Sequence, residues 1–181
     1  MQQYAARKLD RPEDLITIWR STYSTLHGEK VHEGGFLREV RVLLADDYEP
    51  WRRCVSSLLL RQPEWKVIGE VSDGLEAVQK TQELKPDLIL LDLSLPKLSG
   101  VEAANRIRQI APATKIVFIT AYRDSDAMQT VLRNEAEGYV LKWEVTKDLL
   151  PAVEAVLWGG RFVSAELADP PKSGRSFERS H

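Results

Sequence analysis

The sequence predicts an α/β fold: a doubly wound, five-stranded parallel sheet covered by helices on both faces. Two observations lead there. Between about residues 39 and 158, five short apolar runs alternate with stretches of helical length, and strands joined by helical crossovers lie parallel. Two of the runs, Leu88 to Leu91 and Ile116 to Ile119, are apolar throughout, as strands buried on both faces should be.

The elements follow in order. Val40-Arg41-Val42-Leu43-Leu44-Ala45 is the first strand, and after Pro50 the residues Trp51, Val55, Leu58 and Leu59 share one helix face. Cys54, the lone cysteine, falls in that helix and is expected as a small buried apolar residue. Trp65 to Val71 is the second strand; Lys66 and Glu70 mark it as an edge. Leu75, Val78 and Gln82 follow Gly74 as the next helix. The third strand, Asp87 to Asp92, precedes a helix carrying Val101, Ala104, Ile107 and Arg108 after Gly100. Lys115 to Thr120 is the fourth strand, with a helix marked by Met128, Val131 and Leu132. Gly138 to Lys142 is the fifth, and Leu149, Val153, Val156 and Leu157 stripe the last helix.

Three parts result: an extension over residues 1–38, the alternating region over 39–158, and a linker-like tail over 159–181. In the extension, Asp10 and Glu13 resemble a capping box, with Pro12 in the first turn. Leu15, Trp19, Tyr23 and Leu26 form a stripe suited to packing on the main domain or to a partner. The tail holds Pro170-Pro171, Ser173 and Gly174 and reads as partly disordered.

Composition narrows the function classes. A hydrophobic fraction of 43%, a charged fraction of 29% and a net charge of -2 fit a globular protein with no electrostatic case for nucleic acid. No apolar run approaches the roughly 18 residues of a membrane helix, and the N-terminus lacks a signal-peptide pattern. The expected setting is cytoplasmic. One cysteine excludes an intrachain disulfide.

Ligands of open parallel sheets bind at the carboxyl ends of the strands. Here the first strand ends in Asp46-Asp47, the third in Asp92, the fourth in Thr120-Ala121 and the fifth in Lys142. Each residue alone reads as a helix cap, a turn or a solvated lysine. Together they place three carboxylates, a hydroxyl and an ammonium at one crevice. Three negative charges against one positive call for a divalent cation, and Mg²⁺ suits a small site of few carboxylates. A carboxylate beside Mg²⁺, a lysine and a hydroxyl donor is a nucleophile suited to forming an acyl phosphate.

These residues resemble the receiver domain of two-component response regulators. The resemblance covers about Val40 to Trp158 and rests on five motifs in order: Leu44-Ala45-Asp46-Asp47, Gly74-Leu75-Glu76-Ala77, Asp92 through Gly100, Thr120-Ala121 and Gly138-Tyr139-Val140-Leu141-Lys142. It implies a flavodoxin-like strand order 2-1-3-4-5 with five helices. It also implies that Asp92 accepts a phosphoryl group from a histidine kinase or phosphotransfer protein, as a switch rather than a turnover enzyme. Asp47, Asp92 and the Ser94 carbonyl match Mg²⁺ ligands, and Asp46 the acidic residue acting largely through water. Thr120 and Lys142 match the groups that hold the phosphoryl oxygens, and Tyr139 the aromatic that turns inward when the threonine moves. Ser94 and Tyr122 match positions that tune the phosphoryl lifetime. A homodimer is a further candidate partner.

Trp158 to Ala168 resembles the junction of the LuxR-type class, after which a DNA-binding helix-turn-helix normally follows; about a dozen residues remain, too few for such a module. The competing function is the regulatory part of a DNA-binding transcriptional regulator. A flavin protein on the same fold would need a hydroxyl- and glycine-rich loop after the first strand. Asp46-Asp47-Tyr48-Glu49 repels phosphate instead.

Overall fold

A computed structural model of the chain describes residues 39–121 and 136–168. The stripe of the extension, the helix expected around Met128 to Leu132, Tyr122 and the end of the tail lie outside the described residues. The elements are β1 (Val40–Ala45), α1 (Glu49–Leu59), β2 (Trp65–Val71), α2 (Gly74–Leu84), β3 (Leu88–Asp92), α3 (Gly100–Ile110), β4 (Lys115–Thr120) and β5 (Gly138–Leu141). After a 3₁₀ turn over Lys142–Glu144 come α4 (Val145–Leu157), β6 (Phe162–Val163) and the short α5 (Ala165–Ala168).

The sheet is parallel, in the order β2-β1-β3-β4-β5-β6. β2 is the expected edge, its Lys66 and Glu70 exposed. β3 is buried along its whole length and β4 at every residue after Lys115, as central strands between two helical layers require.

Five strands were expected and six are present, because Phe162 and Val163 add to the outer edge of β5. The structured region therefore runs past residue 158. The Phe162 N–H bonds the Glu137 carbonyl at 2.9 Å, and the Ser164 N–H bonds the Tyr139 carbonyl at 2.9 Å. Val163 and Leu167 pack against the main core.

Two helix faces differ from the periodic reading. In α1, Val55, Leu58 and Leu59 are buried as expected, whereas Cys54 is exposed: a neighbour of Val55 lies a quarter-turn off the inward stripe. In α2 the inward face is Gly74, Ala77 and Thr81, while Leu75 is 45% exposed and Gln82 lies outside. The reason is close approach. A Cβ on Gly74 would stand 1.9 Å from the Leu98 carbonyl oxygen, so small residues face inward where α2 meets the loop before α3.

Helix starts follow capping chemistry. Asp73 accepts from the Glu76 N–H at 2.8 Å at the head of α2. Ser99 and Glu102 form a full capping box at the head of α3, which fixes the start of the helix that follows Asp92.

Candidate phosphoryl-accepting site

Strand register assembles the site. Ala45 pairs with Leu91, Asp92 with Ile119, and Thr120 with Leu141. The next residue after β1 is Asp46 and the next after β5 is Lys142. Asp46 is therefore level with Asp92, while Thr120 and Lys142 follow one and two residues beyond, at the same end of four adjacent strands. Ligand oxygens of Asp46, Asp47 and Asp92 lie within 4.8 Å of one another. Asp46 and Asp92 are buried and Asp47 is exposed.

Lys142 sits between the two buried carboxylates. Its Nζ is 2.6 Å from Asp46 Oδ2 and 3.0 Å from Asp92 Oδ2. The contact with Asp92 has hydrogen-bond geometry. The contact with Asp46 is an ion pair at poor angle, and Asp46 Oδ2 is left buried without a well-formed hydrogen bond; distance governs the Coulomb attraction, angle the hydrogen bond. Asp46 Oδ1 accepts from the Tyr48 N–H at 2.9 Å.

The two partners titrate in the same direction for different reasons. Burial raises the Asp46 carboxyl above its ordinary value of 3.8, outweighing the Lys142 ammonium and the Tyr48 N–H, with the Asp92 charge adding to the rise. Burial alone would lower the Lys142 ammonium, but the Asp46 and Asp92 carboxylates together raise it above 10.5. Lys142 answers to two anions; Asp46 has one cation against its own desolvation.

The loop after Asp92 is held tightly. A Cβ on Gly100 would meet the Asp92 carbonyl oxygen at 2.0 Å, and the Gly100 N–H bonds the Leu93 carbonyl at 2.9 Å. Lys97 occupies the left-handed region at φ 63°, closing a turn in which the Leu98 N–H reaches the Pro96 carbonyl at 2.7 Å. Lys97 Nζ also meets Asp73 Oδ2 at 2.5 Å, tying the loop to the head of α2. Ser94 is exposed, its N–H 3.4 Å from Asp92 Oδ1.

Thr120 is fully buried at the end of β4. Tyr139 is fully buried too, stacked on Phe118 with ring centroids 5.6 Å apart and planes at 27°. Burial pushes its phenol up to about 12, so the ring stays neutral at any ordinary pH.

Two further residues shape the site. Lys142 Nζ lies 5.6 Å from the centroid of the Trp51 ring, within cation–π range. Arg52 donates to the Asp46 carbonyl at 2.7 Å and to Glu70 Oε2 at 3.1 Å, pinning the end of β1. Periodicity assigns Trp51 to the helix's packing face, and nothing in the spacing marks Arg52.

Residues 42–154 match the family model "Response regulator receiver domain". The chain belongs to that family. It is 38% identical over 129 residues to "Oxygen regulatory protein NreC" of Staphylococcus aureus, covering 71% of this chain and 59% of that protein. The chain thus spans less than two thirds of the length of that relative. Among solved structures, the receiver resembles a LuxR-family two-component response regulator from Aurantimonas sp. SI85-9A1. That match has 34% identity, a TM-score of 0.68, and covers 72% of this chain and 93% of that one. It also resembles the response regulator domain of Thermotoga maritima CheB, at 33% identity, a TM-score of 0.60, and 66% and 97% coverage.

The receiver's donor set suits Mg²⁺. Hard carboxylate oxygens of Asp46, Asp47 and Asp92 converge within 4.8 Å with the Lys142 ammonium between two of them, and a small divalent cation would balance the remaining negative charge. No helix among the described residues is long and apolar enough to cross a membrane.

Proposed function

We propose that Asp92 is the phosphoacceptor of a two-component signalling switch, fed by the phosphohistidine of a histidine kinase or phosphotransfer protein. The observation that carries this reading is the Lys142 ammonium bridging Asp46 and Asp92 where β1, β3 and β5 end together. Asp46, Asp47, Asp92 and the Ser94 carbonyl would hold Mg²⁺. When bound, the ion supplies positive charge that offsets the carboxylates and the phosphoryl oxygens.

The step is a displacement at phosphorus. An ionised Asp92 oxygen forms the P–O bond as the P–N bond breaks, and the departing imidazole nitrogen keeps the electron pair. Lys142 is already within 3.0 Å of Asp92 and turns to a phosphoryl oxygen with little movement, so its ordering is largely complete beforehand. The Thr120 hydroxyl donates to a second phosphoryl oxygen.

The new group adds about -1.5 to -2 charge. It draws Thr120 and Lys142 towards Asp92, and Tyr139, the second residue of β5, follows the space Thr120 leaves. The output is a change in protein contacts, biased between two states by a local electrostatic event. A receiver over residues 39–158 with a flanking extension and a tail, the first part of which adds β6 to the sheet, belongs to the same reading, as do a homodimer and a cytoplasmic setting.

The test is Mg²⁺-dependent binding of beryllofluoride, a phosphoryl mimic. The parent should bind it only with Mg²⁺ present, and Asp92→Asn should not bind it. Equal binding by Asp92→Asn would overturn the assignment.

A further inference from the structure

A buried serine ties the end of β6 to both β5 and α4. Ser164 is fully buried, and its hydroxyl donates to Asp148 Oδ2 of α4 at 2.6 Å while accepting from the Leu141 N–H at 3.2 Å. Its own N–H reaches the Tyr139 carbonyl at 2.9 Å. Asp148 is buried as well, at 6% exposure. A single residue beyond the last receiver helix therefore bonds the backbone on both sides of Val140 and a helix of the core. Leu141 immediately precedes Lys142, and Tyr139 is the aromatic of the same strand.

Buried polar groups are costly unless satisfied. The Ser164 hydroxyl uses both its donor and its acceptor capacity here. Released from the sheet, the segment would leave Asp148 and the Leu141 N–H without these partners. Docking of residues 162–164 thus makes and breaks these bonds together, and such an element is of the kind that two ligands or states can bias. The docked arrangement coexists with Tyr139 fully buried on Phe118.

We propose that Ser164 and Asp148 form a latch through which the phosphoryl-accepting site controls whether the segment following α4 is docked on β5. The inference rests on the reading of Asp92 as phosphoacceptor. The latch fixes the β5 backbone from which Lys142 and Tyr139 project, so occupancy of the site favours docking and docking favours occupancy. Such coupling is reciprocal.

The test uses the full chain with Mg²⁺ and beryllofluoride, reading affinity by tryptophan fluorescence and the Phe162 and Ser164 amides by hydrogen exchange. Beryllofluoride should slow exchange of both amides in the parent. Ser164→Ala should expose both amides and weaken beryllofluoride binding about fivefold or more, the low end of allosteric coupling. Asp148→Asn, which keeps a carbonyl acceptor for the serine, should give a smaller loss in the same direction. Val40→Ala, a truncation of a buried residue at the start of β1 and outside the core that Val163 and Leu167 pack against, should lower stability and leave affinity unchanged.

Affinity of Ser164→Ala within twofold of the parent would make Ser164 a structural residue only and overturn the latch. An equal affinity loss in Val40→Ala would do the same, by assigning the effect to general stability. A parent that fails to bind beryllofluoride at all overturns the phosphoacceptor reading and the latch with it; normal parent binding beside a silent Ser164→Ala overturns the latch alone.

Discussion

The Lys142 ammonium stands 2.6 Å from Asp46 Oδ2, nearer than the 3.0 Å that separates it from Asp92 Oδ2. The lysine that would serve the phosphoryl group thus also holds together the acidic cluster before phosphorylation. Removing it leaves two buried carboxylates facing each other. Lys142→Met should destabilise the metal-free receiver by roughly 1–3 kcal/mol, the scale of a lost charged hydrogen bond. Urea denaturation checks this, and added Mg²⁺ should recover part of the loss by replacing the missing charge.

The raised Asp46 carboxyl has a signed consequence for stability. A carboxyl whose folded value lies above its unfolded one binds protons more tightly when folded. Its favourable contribution is complete below about pH 3.8 and is lost as pH rises through the elevated folded value. At neutral pH the ionised group therefore costs stability. Asp46→Asn should raise the metal-free melting temperature at pH 7, with the gain shrinking as pH falls towards 3.8. It should also weaken Mg²⁺ binding. Thermal melts across pH and a Mg²⁺ titration measure the two effects.

Gly100 touches the acceptor strand directly. A Cβ there would lie 2.0 Å from the Asp92 carbonyl oxygen, and backbone cannot yield as a side chain can. Gly100→Ala should cost roughly 1–3 kcal/mol, as overpacking does. It should also slow labelling by acetyl phosphate, since Asp92 itself must shift. A folded variant labelled at the parent rate would show that the loop absorbs the strain without moving the acceptor.

Trp51 should report on the site. Its ring lies 5.6 Å from Lys142 Nζ, so any movement of the ammonium changes its surroundings. Trp51→Phe should lose most of the fluorescence response to Mg²⁺ and beryllofluoride while keeping binding, measured independently by calorimetry. A response undiminished in Trp51→Phe would assign it to another of the five tryptophans.

Much of this was legible in the sequence because each strand advertises its own end. Apolar runs stop where the chain reaches Asp46, Asp92, Thr120 and Lys142, and parallel strands then bring those ends to one edge of the sheet. What stayed hidden depends on close approach or on very short elements. The inner face of α2 is small because Gly74 meets the Leu98 carbonyl, which no periodic rule anticipates. β6 has two residues after Gly159-Gly160, too few to show a period. Asp148 did leave a sign: it falls on the inward stripe with Val145, Leu149, Ala152, Val153 and Val156, where a polar residue needs a buried partner. Ser164 is that partner.

The most direct test of the central claim is covalent. Incubated with acetyl phosphate and Mg²⁺, the parent should gain the mass of one phosphoryl group, and none when the metal is chelated beforehand; Asp92→Asn should gain none. Labelling of Asp92→Asn to the parent's extent would contradict the account.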